Sequence, residues 1–340
     1  MPNSIFIAEP ENLSLLNDEI KATLSPRKVE KISERALLVN HSSCKNQPLL
    51  AFAKQVLLEV DQFSAPSVSK AANFLFQLLL AREELKRPLY LHVFDLWRGV
   101  TRRSDLIRNE LSELLKQKRR SIYKDLAGEP LRTEEFSVLQ LALANNEAGY
   151  VSLQNFVQGQ PLFDCVSKYP GGDLKLAIDK NPPSRAYLKL VEAQLRFGEA
   201  LKTRDTVLDL GSSPGGWAYV ALQAGANVIA VDRSELRSDL MRNPRLQFHA
   251  QDAFKFVPEA QVDWLICDLI AFPEKTLKLL ELYLENKYCR KFIVTLKFRG
   301  NEDYQILSAA KKIVRKFTSR CYVGRMQSNK NEVTLCGECF

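Results

Sequence analysis

The chain has 340 residues, 46% of them hydrophobic and 26% charged, a length suited to two or three domains and a composition that excludes collagen-like, low-complexity and disordered classes. Forty-eight Lys and Arg against forty Asp and Glu give a net charge of +8, which favours an acidic partner such as nucleic acid without identifying one. The start, Met1-Pro-Asn-Ser-Ile-Phe-Ile-Ala-Glu, lacks a basic segment followed by a long apolar one, and no run nears the roughly 18 apolar residues of a membrane span.

In chain order, Ser4-Ile-Phe-Ile-Ala, Ala36-Leu-Leu-Val-Asn, Val56-Leu-Leu-Glu-Val and Leu89-Tyr-Leu-His-Val-Phe read as strands. Residues 67–82 and 104–118 carry apolar side chains at helical spacing. This region is expected to be α+β, as two small sandwiches. Lys168-Tyr-Pro-Gly-Gly through Pro182-Pro183-Ser184 reads as a linker. From residue 184 strand and helix alternate regularly. Strands are expected at 207–210, 227–231, 246–249, 262–267 and 292–296, with helices beginning at Trp217, Glu274 and Asp303, which implies parallel strands covered on both faces. Arg320-Cys-Tyr-Val-Gly-Arg and Glu332-Val-Thr-Leu-Cys read as a closing hairpin, so one antiparallel strand is expected at the end of the sheet.

The turn Gly211-Ser-Ser-Pro-Gly-Gly follows the first of these parallel strands, where a doubly wound sheet binds its ligand. Gly211 permits close backbone approach, and Pro214 suits a helix's first turn. Asp232 lies roughly 20 residues beyond Asp209, the place of a carboxylate that bonds a ribose diol. Asp252, after the third strand, is placed to meet an adenine amino group. Asp209 precedes the first glycine; it would repel a pyrophosphate but could bond the cationic amino-acid moiety of S-adenosylmethionine. Three acids at successive strand ends therefore favour that cofactor over a dinucleotide. In each case the plain alternative is a carboxylate that caps a turn or helix. The predicted cofactor residues are Asp209, Gly211, Ser213, Pro214, Gly215, Gly216, Trp217, Asp232, Asp252 and Asp268. For Trp217 packing is the ordinary alternative.

With "PPSRAYLKL" before it and "ICDLIA", "TLKF" and "NEVTL" after it, "LDLGSSPGGW" resembles the FtsJ-type ribose 2'-O-methyltransferases, over residues 184 to 338. Within that group the chain is most similar to the RlmM-type enzymes, which methylate a cytidine ribose of large-subunit (23S) ribosomal RNA. "LANNEAGYVSLQ" leading toward "PPSRAYLKL" carries the N-terminal part of the likeness. The resemblance implies a Rossmann-like α/β methyltransferase sheet with an antiparallel last strand at 184–340, a linker at 168–183, a ferredoxin-like α+β domain at 1–86 and a THUMP-like RNA-binding domain at 87–167. It also implies a Lys-Asp-Lys-Glu catalytic set, which falls on Lys189, Asp268, Lys297 and Glu332.

The chemistry asks for such a set. A ribose hydroxyl must lose its proton as it attacks a methyl sulfonium, so a base is needed. Lysine has a reference pKa of about 10.4, and desolvation or a second ammonium nearby disfavours its charge, whereas carboxylates favour it. Each residue also has an ordinary reading: a solvated helix face for Lys189, a turn former for Asp268, a basic rim for Lys297 with Arg299, and a pair with Lys330 for Glu332. Arg185 and Arg299 flank these motifs and are expected to position substrate RNA. The basic run from Leu114 to Lys124 is either a phosphate-tracking patch or a solvated helix end.

Seven scattered cysteines fit a reducing, cytoplasmic setting rather than a disulfide framework. Cys336-Gly-Glu-Cys339 has no second pair, and His41, His92 and His249 show no ligand spacing, so no metal is expected. Methylation of a transfer RNA or an mRNA cap, an RNA-binding protein that keeps the fold without catalysis, and a nicotinamide oxidoreductase are the rival functions. The complete four-residue set argues against the second, and Asp209 with the loop spacing against the third.

Overall fold

In the computed structural model, which describes residues 3–41, 48–97, 102–128, 133–300 and 302–340, the chain divides into two units, 1–173 and 174–340. The first unit holds two four-stranded sheets. One is built from β1 (Asn3–Ile7), β2 (Lys28–Lys31), β3 (Ala36–Asn40) and β4 (Gln55–Leu57), in the order β2-β3-β1-β4 with every pairing antiparallel. Helix α1 (Leu13–Leu24) buries Leu13, Leu16, Ile20 and Leu24, a stripe at three- and four-residue spacing that marks one helix face.

The expected strand Val56–Val60 is shorter than read: pairing with β1 ends at Leu57, and β5 (Asp61–Ser64) belongs to the other sheet. That second sheet runs β5-β8-β7-β6, with β6 (Leu89–Asp95) parallel to β7 (Glu135–Leu143) and β8 (Ala148–Val157) antiparallel to β5 and β7. Helices α2 (Val68–Ala81) and α3 (Arg103–Lys118) supply Leu75, Leu79, Ile107 and Leu111 to its core. The Ser67 hydroxyl caps α2 by accepting from the Lys70 N–H at 3.2 Å. The short α4 (Arg120–Asp125) follows.

The second unit is one seven-stranded sheet. Its strands are β9 (Thr206–Leu210), β10 (Asn227–Asp232), β11 (Leu246–Ala250), β12 (Val262–Cys267), β13 (Cys289–Lys297), β14 (Thr318–Gly324) and β15 (Glu332–Cys339), in the order β11-β10-β9-β12-β13-β15-β14. Strands β9 to β13 are parallel, and β15 runs antiparallel between β13 and β14. From β9 the chain builds outward to β11, then returns to add β12 and β13 on the other side. The β9/β12 boundary is thus the switch point at which open α/β sheets bind ligands.

Val207, Leu208 and Leu210 are fully buried, as expected of a central strand covered on both faces. The helices are α5 (Tyr187–Phe197), α6 (Gly216–Gln223), α7 (Ser238–Met241), α8 (Pro273–Glu285) and α9 (Ile306–Phe317). Helix α5 directs Leu190, Ala193 and Phe197 into the core, where they meet Trp217 and Trp264, and it ends on Gly198 at φ +69°. Among the described residues no helix is long and apolar enough to cross a membrane.

Candidate active site

At the carboxyl end of β9 the backbone turns sharply at Gly211, whose φ is +79°. The turn is held from β10: the Gly211 N–H donates to the Val231 carbonyl at 2.9 Å, and the Ser213 N–H to Asp232 Oδ2 at 3.1 Å. Asp232 Oδ1 also accepts from the Ser234 N–H at 2.9 Å. Packing explains two glycines. A Cβ on Gly211 would stand 2.6 Å from Leu269 Cδ2, and one on Gly216 would stand 2.4 Å from Ser184 Oγ. Gly211→Ala is therefore expected to destabilise the protein by about 1–2 kcal/mol and to weaken cofactor binding; chemical unfolding that matches the wild type would count against this account of the turn.

The turn borders a cavity of about 830 Å³. Asp209, Gly211, Ser213, Pro214, Gly216 and Trp217 line it on the β9 side, and Asp232, Asp252 and Asp268 stand at the ends of the neighbouring strands. Gly215, at φ +109°, shapes the turn without lining the cavity; its Cβ would meet Leu240 Cδ1 at 2.4 Å. Trp217 is 3% exposed and donates its indole N–H to the Ala186 carbonyl at 2.8 Å, so it packs the core while edging the cavity.

The three acids differ. Asp209 is 1% exposed. Burial, with the Asp268 and Asp232 charges adding to it, holds its carboxyl well above the ordinary range despite a hydrogen bond from the Ala218 backbone. Its Oδ2 has no hydrogen-bond partner among the described residues. Asp252 accepts from the Phe254 N–H at 3.0 Å and pairs with Arg233 at 2.7 Å, which keeps its carboxyl below the ordinary range.

Beside the turn, four charged side chains converge, from α5, the loop after β12, β13 and β15. Lys189 on α5 lies 3.1 Å from Asp268 Oδ2 and 2.6 Å from Glu332 Oε2. Lys297, the last residue of β13, lies 3.2 Å from Asp268 Oδ1 and donates to the Asp268 carbonyl at 2.8 Å. Register brings Lys297 and Glu332 together, since they face each other across the β13/β15 ladder. The four side chains are 11–20% exposed, so their charges are paired in a partly desolvated place. Lys189, Asp268 and Lys297 line the cavity; Glu332 stands behind Lys189.

Of the two arginines, Arg299 lines the cavity and lies over the Phe272 ring, its guanidinium carbon 4.2 Å from the centroid. Arg185 is exposed and not part of the lining. Sequence reasoning missed Ser184, which packs on Gly216, and Phe254, over which Lys275 Nζ sits at 3.8 Å from the ring centroid. It also missed Ile270 and Phe272, 93% and 54% exposed at the cavity rim. For Phe254, Ile270 and Phe272 the signal was present: these large apolar residues stand two to four positions after the acids Asp252 and Asp268, where a plain turn would be polar. Among the described residues no group of three or more His, Cys, Asp or Glu is arranged to hold a metal ion.

Residues 182–315 match the family described as FtsJ-like methyltransferase. The chain is 34% identical over 184 residues to a protein named "Ribosomal RNA large subunit methyltransferase M" from a Marinomonas species, covering 51% of this chain and 53% of that one. The protein of the same name from Halorhodospira halophila is 31% identical over 170 residues, covering 49% and 50%. The chain thus spans about half the length of the curated relatives it matches. Among solved structures, the fibrillarin pre-rRNA processing protein of Methanococcus jannaschii is similar at 16% identity and a TM-score of 0.33, covering 46% of this chain and 76% of that one.

Proposed function

We propose, from the FtsJ-like methyltransferase domain that residues 182–315 form, that the protein methylates a ribose 2'-hydroxyl of large-subunit ribosomal RNA, at a cytidine, with S-adenosylmethionine as donor. The observation that carries this reading is the convergence of Lys189, Asp268, Lys297 and Glu332 beside the cavity at the switch point. The relatives' names supply the ribosomal substrate, and such a substrate goes with a cytoplasmic protein.

The cavity residues fit this donor. Asp209 offers a buried carboxyl oxygen that has no hydrogen-bond partner among the described residues, suited to an ammonium group. Gly211 and Gly216 line the cavity, and their lack of a Cβ lets Leu269 and Ser184 close against the turn. Asp232 and Asp252, acceptors at the next two strand ends, suit a ribose diol and an adenine amino group. When bound, S-adenosylmethionine supplies an electrophilic methyl group on a sulfonium. Lys297 Nζ, when neutral and still donating to the Asp268 carbonyl, takes the proton from the 2'-hydroxyl as that oxygen attacks and becomes the ammonium that faces the Asp268 carboxylate. Asp268 holds Lys297 through both its carbonyl and its carboxylate, and Glu332 with Asp268 fixes Lys189 next to the developing charge. Arg185 and Arg299 position the RNA. In the first unit, the basic stretch Lys116, Lys118, Arg119, Arg120 and Lys124 adds phosphate contacts to an RNA-binding, THUMP-like region.

The test is transfer of a labelled methyl group from S-adenosylmethionine to total RNA from cells that lack the protein, with the labelled ribose mapped. Label at one ribose is expected from the wild type. Intact cofactor binding without any label would favour a protein that keeps the fold and only binds RNA. Asp232→Asn should weaken cofactor binding about tenfold before it affects transfer at saturating cofactor; an unchanged affinity would remove Asp232 from the ribose-diol role.

A further inference from the structure

The cavity has a rim that the methyl-transfer chemistry does not use. Between β12 and α8 the chain exposes Ile270 almost completely, at 93%, and Phe272 by more than half, at 54%. Isolated exposed apolar residues are ordinary. These two, however, line the same cavity as Lys189, Asp268 and Lys297, and a guanidinium completes the surface. Arg299 lies over the Phe272 ring at 4.2 Å, and among the described residues it has no ion-pair partner. A guanidinium 4.2 Å over a ring, on an exposed side chain, can lie along that ring by one face and present the other, and that face matches a nucleobase.

Two short chain segments tie this stack to the reacting end of the site. Phe272 is in the loop that begins at Asp268, and Arg299 closely follows Lys297. The hydrogen bond from Lys297 to the Asp268 carbonyl, at 2.8 Å, clamps the two segments side by side. A base on the Arg299 face would therefore bring its own ribose, or its neighbour's, toward Lys297. We infer that Ile270, Phe272 and Arg299 form a base-stacking ledge that admits an unpaired nucleotide of the RNA and rejects one stacked within a duplex. Bases inside a helix have both faces covered by their neighbours, whereas unstacked bases are free to lie on aromatic rings and guanidinium planes. The inference rests on the RNA reading given above and narrows it to single-stranded or flipped-out substrate. It makes Arg299 a positioning residue that acts through its plane as well as its charge.

The experiment uses the full chain with Arg299→Lys, which keeps the charge and loses the plane, Phe272→Leu, which keeps apolar bulk and loses the ring, and Arg299→Ala. Two readouts are needed: transfer kinetics on the RNA from cells that lack the protein, at saturating S-adenosylmethionine, and fluorescence of a short single-stranded RNA carrying 2-aminopurine, free and annealed to its complement. Arg299→Lys and Phe272→Leu are expected to raise KM for RNA about tenfold and to leave kcat and cofactor affinity unchanged. Wild-type protein should quench the single strand and not the duplex, and both variants should lose the quenching. Arg299→Lys indistinguishable from wild type beside a weak Arg299→Ala would overturn the ledge in favour of a phosphate contact. If wild-type protein labels no RNA, the proposed function fails and quenching alone judges the ledge. Quenching that is absent from the wild type, or that survives both variants, overturns it.

Discussion

Lys297→Ala is expected to lower methyl transfer to RNA by at least about a hundredfold, the range in which positioned general bases act, while leaving cofactor affinity near the wild-type value. The nitrogen stands at the carboxyl end of β13, 2.8 Å from the Asp268 carbonyl and 3.2 Å from its carboxylate, so alanine removes the group without removing a strand contact. Asp268 keeps its pairing with Lys189 at 3.1 Å and is not left as a lone buried charge. The informative companion is Lys297→Arg. Arginine is always charged and cannot accept the hydroxyl proton, so it should be as inactive as alanine if Lys297 is the base. Substantial activity in Lys297→Arg would instead make Lys297 an electrostatic anchor. A comparable loss of cofactor affinity in Lys297→Ala would move the residue out of the proton-transfer role altogether.

The second unit was largely legible because most of its strands are apolar runs and because a glycine turn or an acid ends or closely follows β9, β10, β11 and β12. Val262–Cys267 is read to the residue, and the others differ by a few residues at their ends. The first unit was less legible. Helix α1 shows Leu13, Leu16, Ile20 and Leu24 on one face, a signal available in the sequence and not used. The central hairpin of the second sheet, β7 and β8, went unread. Strand β7 is buried on both faces along nearly its whole length, so it lacks the pattern of a half-exposed strand, and β8 mixes buried with half-buried positions without a clean two-residue period. Pairing was not legible either: nothing local in Asp61–Ser64 says that it joins β8 rather than extending the strand before it.

At the site, the four residues proposed to perform the chemistry were nameable because motifs that resemble a known family mark them. Their supports were not, since they depend on which segments the fold brings together. Ser184 against Gly216 and Leu269 against Gly211 are such contacts. So is Arg299 over Phe272. The dual nature of Asp209, an acceptor for the Ala218 backbone on one side and a buried oxygen without a hydrogen-bond partner among the described residues on the other, also depends on burial that no single strand reveals.

Asp209→Asn should separate binding from stability, with opposite signs. The Asp209 carboxyl is held well above its ordinary range by burial first, then by the Asp268 and Asp232 charges. Above an ordinary value of about 4, the unfolded chain has already released this proton while the folded protein still holds it. The folded state binds more protons in that window, so stability falls as pH rises through it and levels off above the folded value. Asparagine never ionises and can still accept from the Ala218 N–H. Without cofactor the variant should therefore be more stable than wild type near neutral pH, by about 1–2 kcal/mol, with the advantage shrinking as pH falls toward 4. With cofactor the order reverses, because an ammonium bonded to a buried carboxylate is worth about 1.5–3 kcal/mol, or roughly ten- to a hundredfold in affinity. Saturating S-adenosylmethionine then raises the wild-type melting temperature more than the variant's at the same ligand concentration. Calorimetric melts with and without cofactor across this pH range, together with titration of the cofactor, decide the matter. A variant less stable than wild type at neutral pH would show that the Asp209 charge supports the fold. Unchanged affinity would leave the oxygen without a ligand to serve.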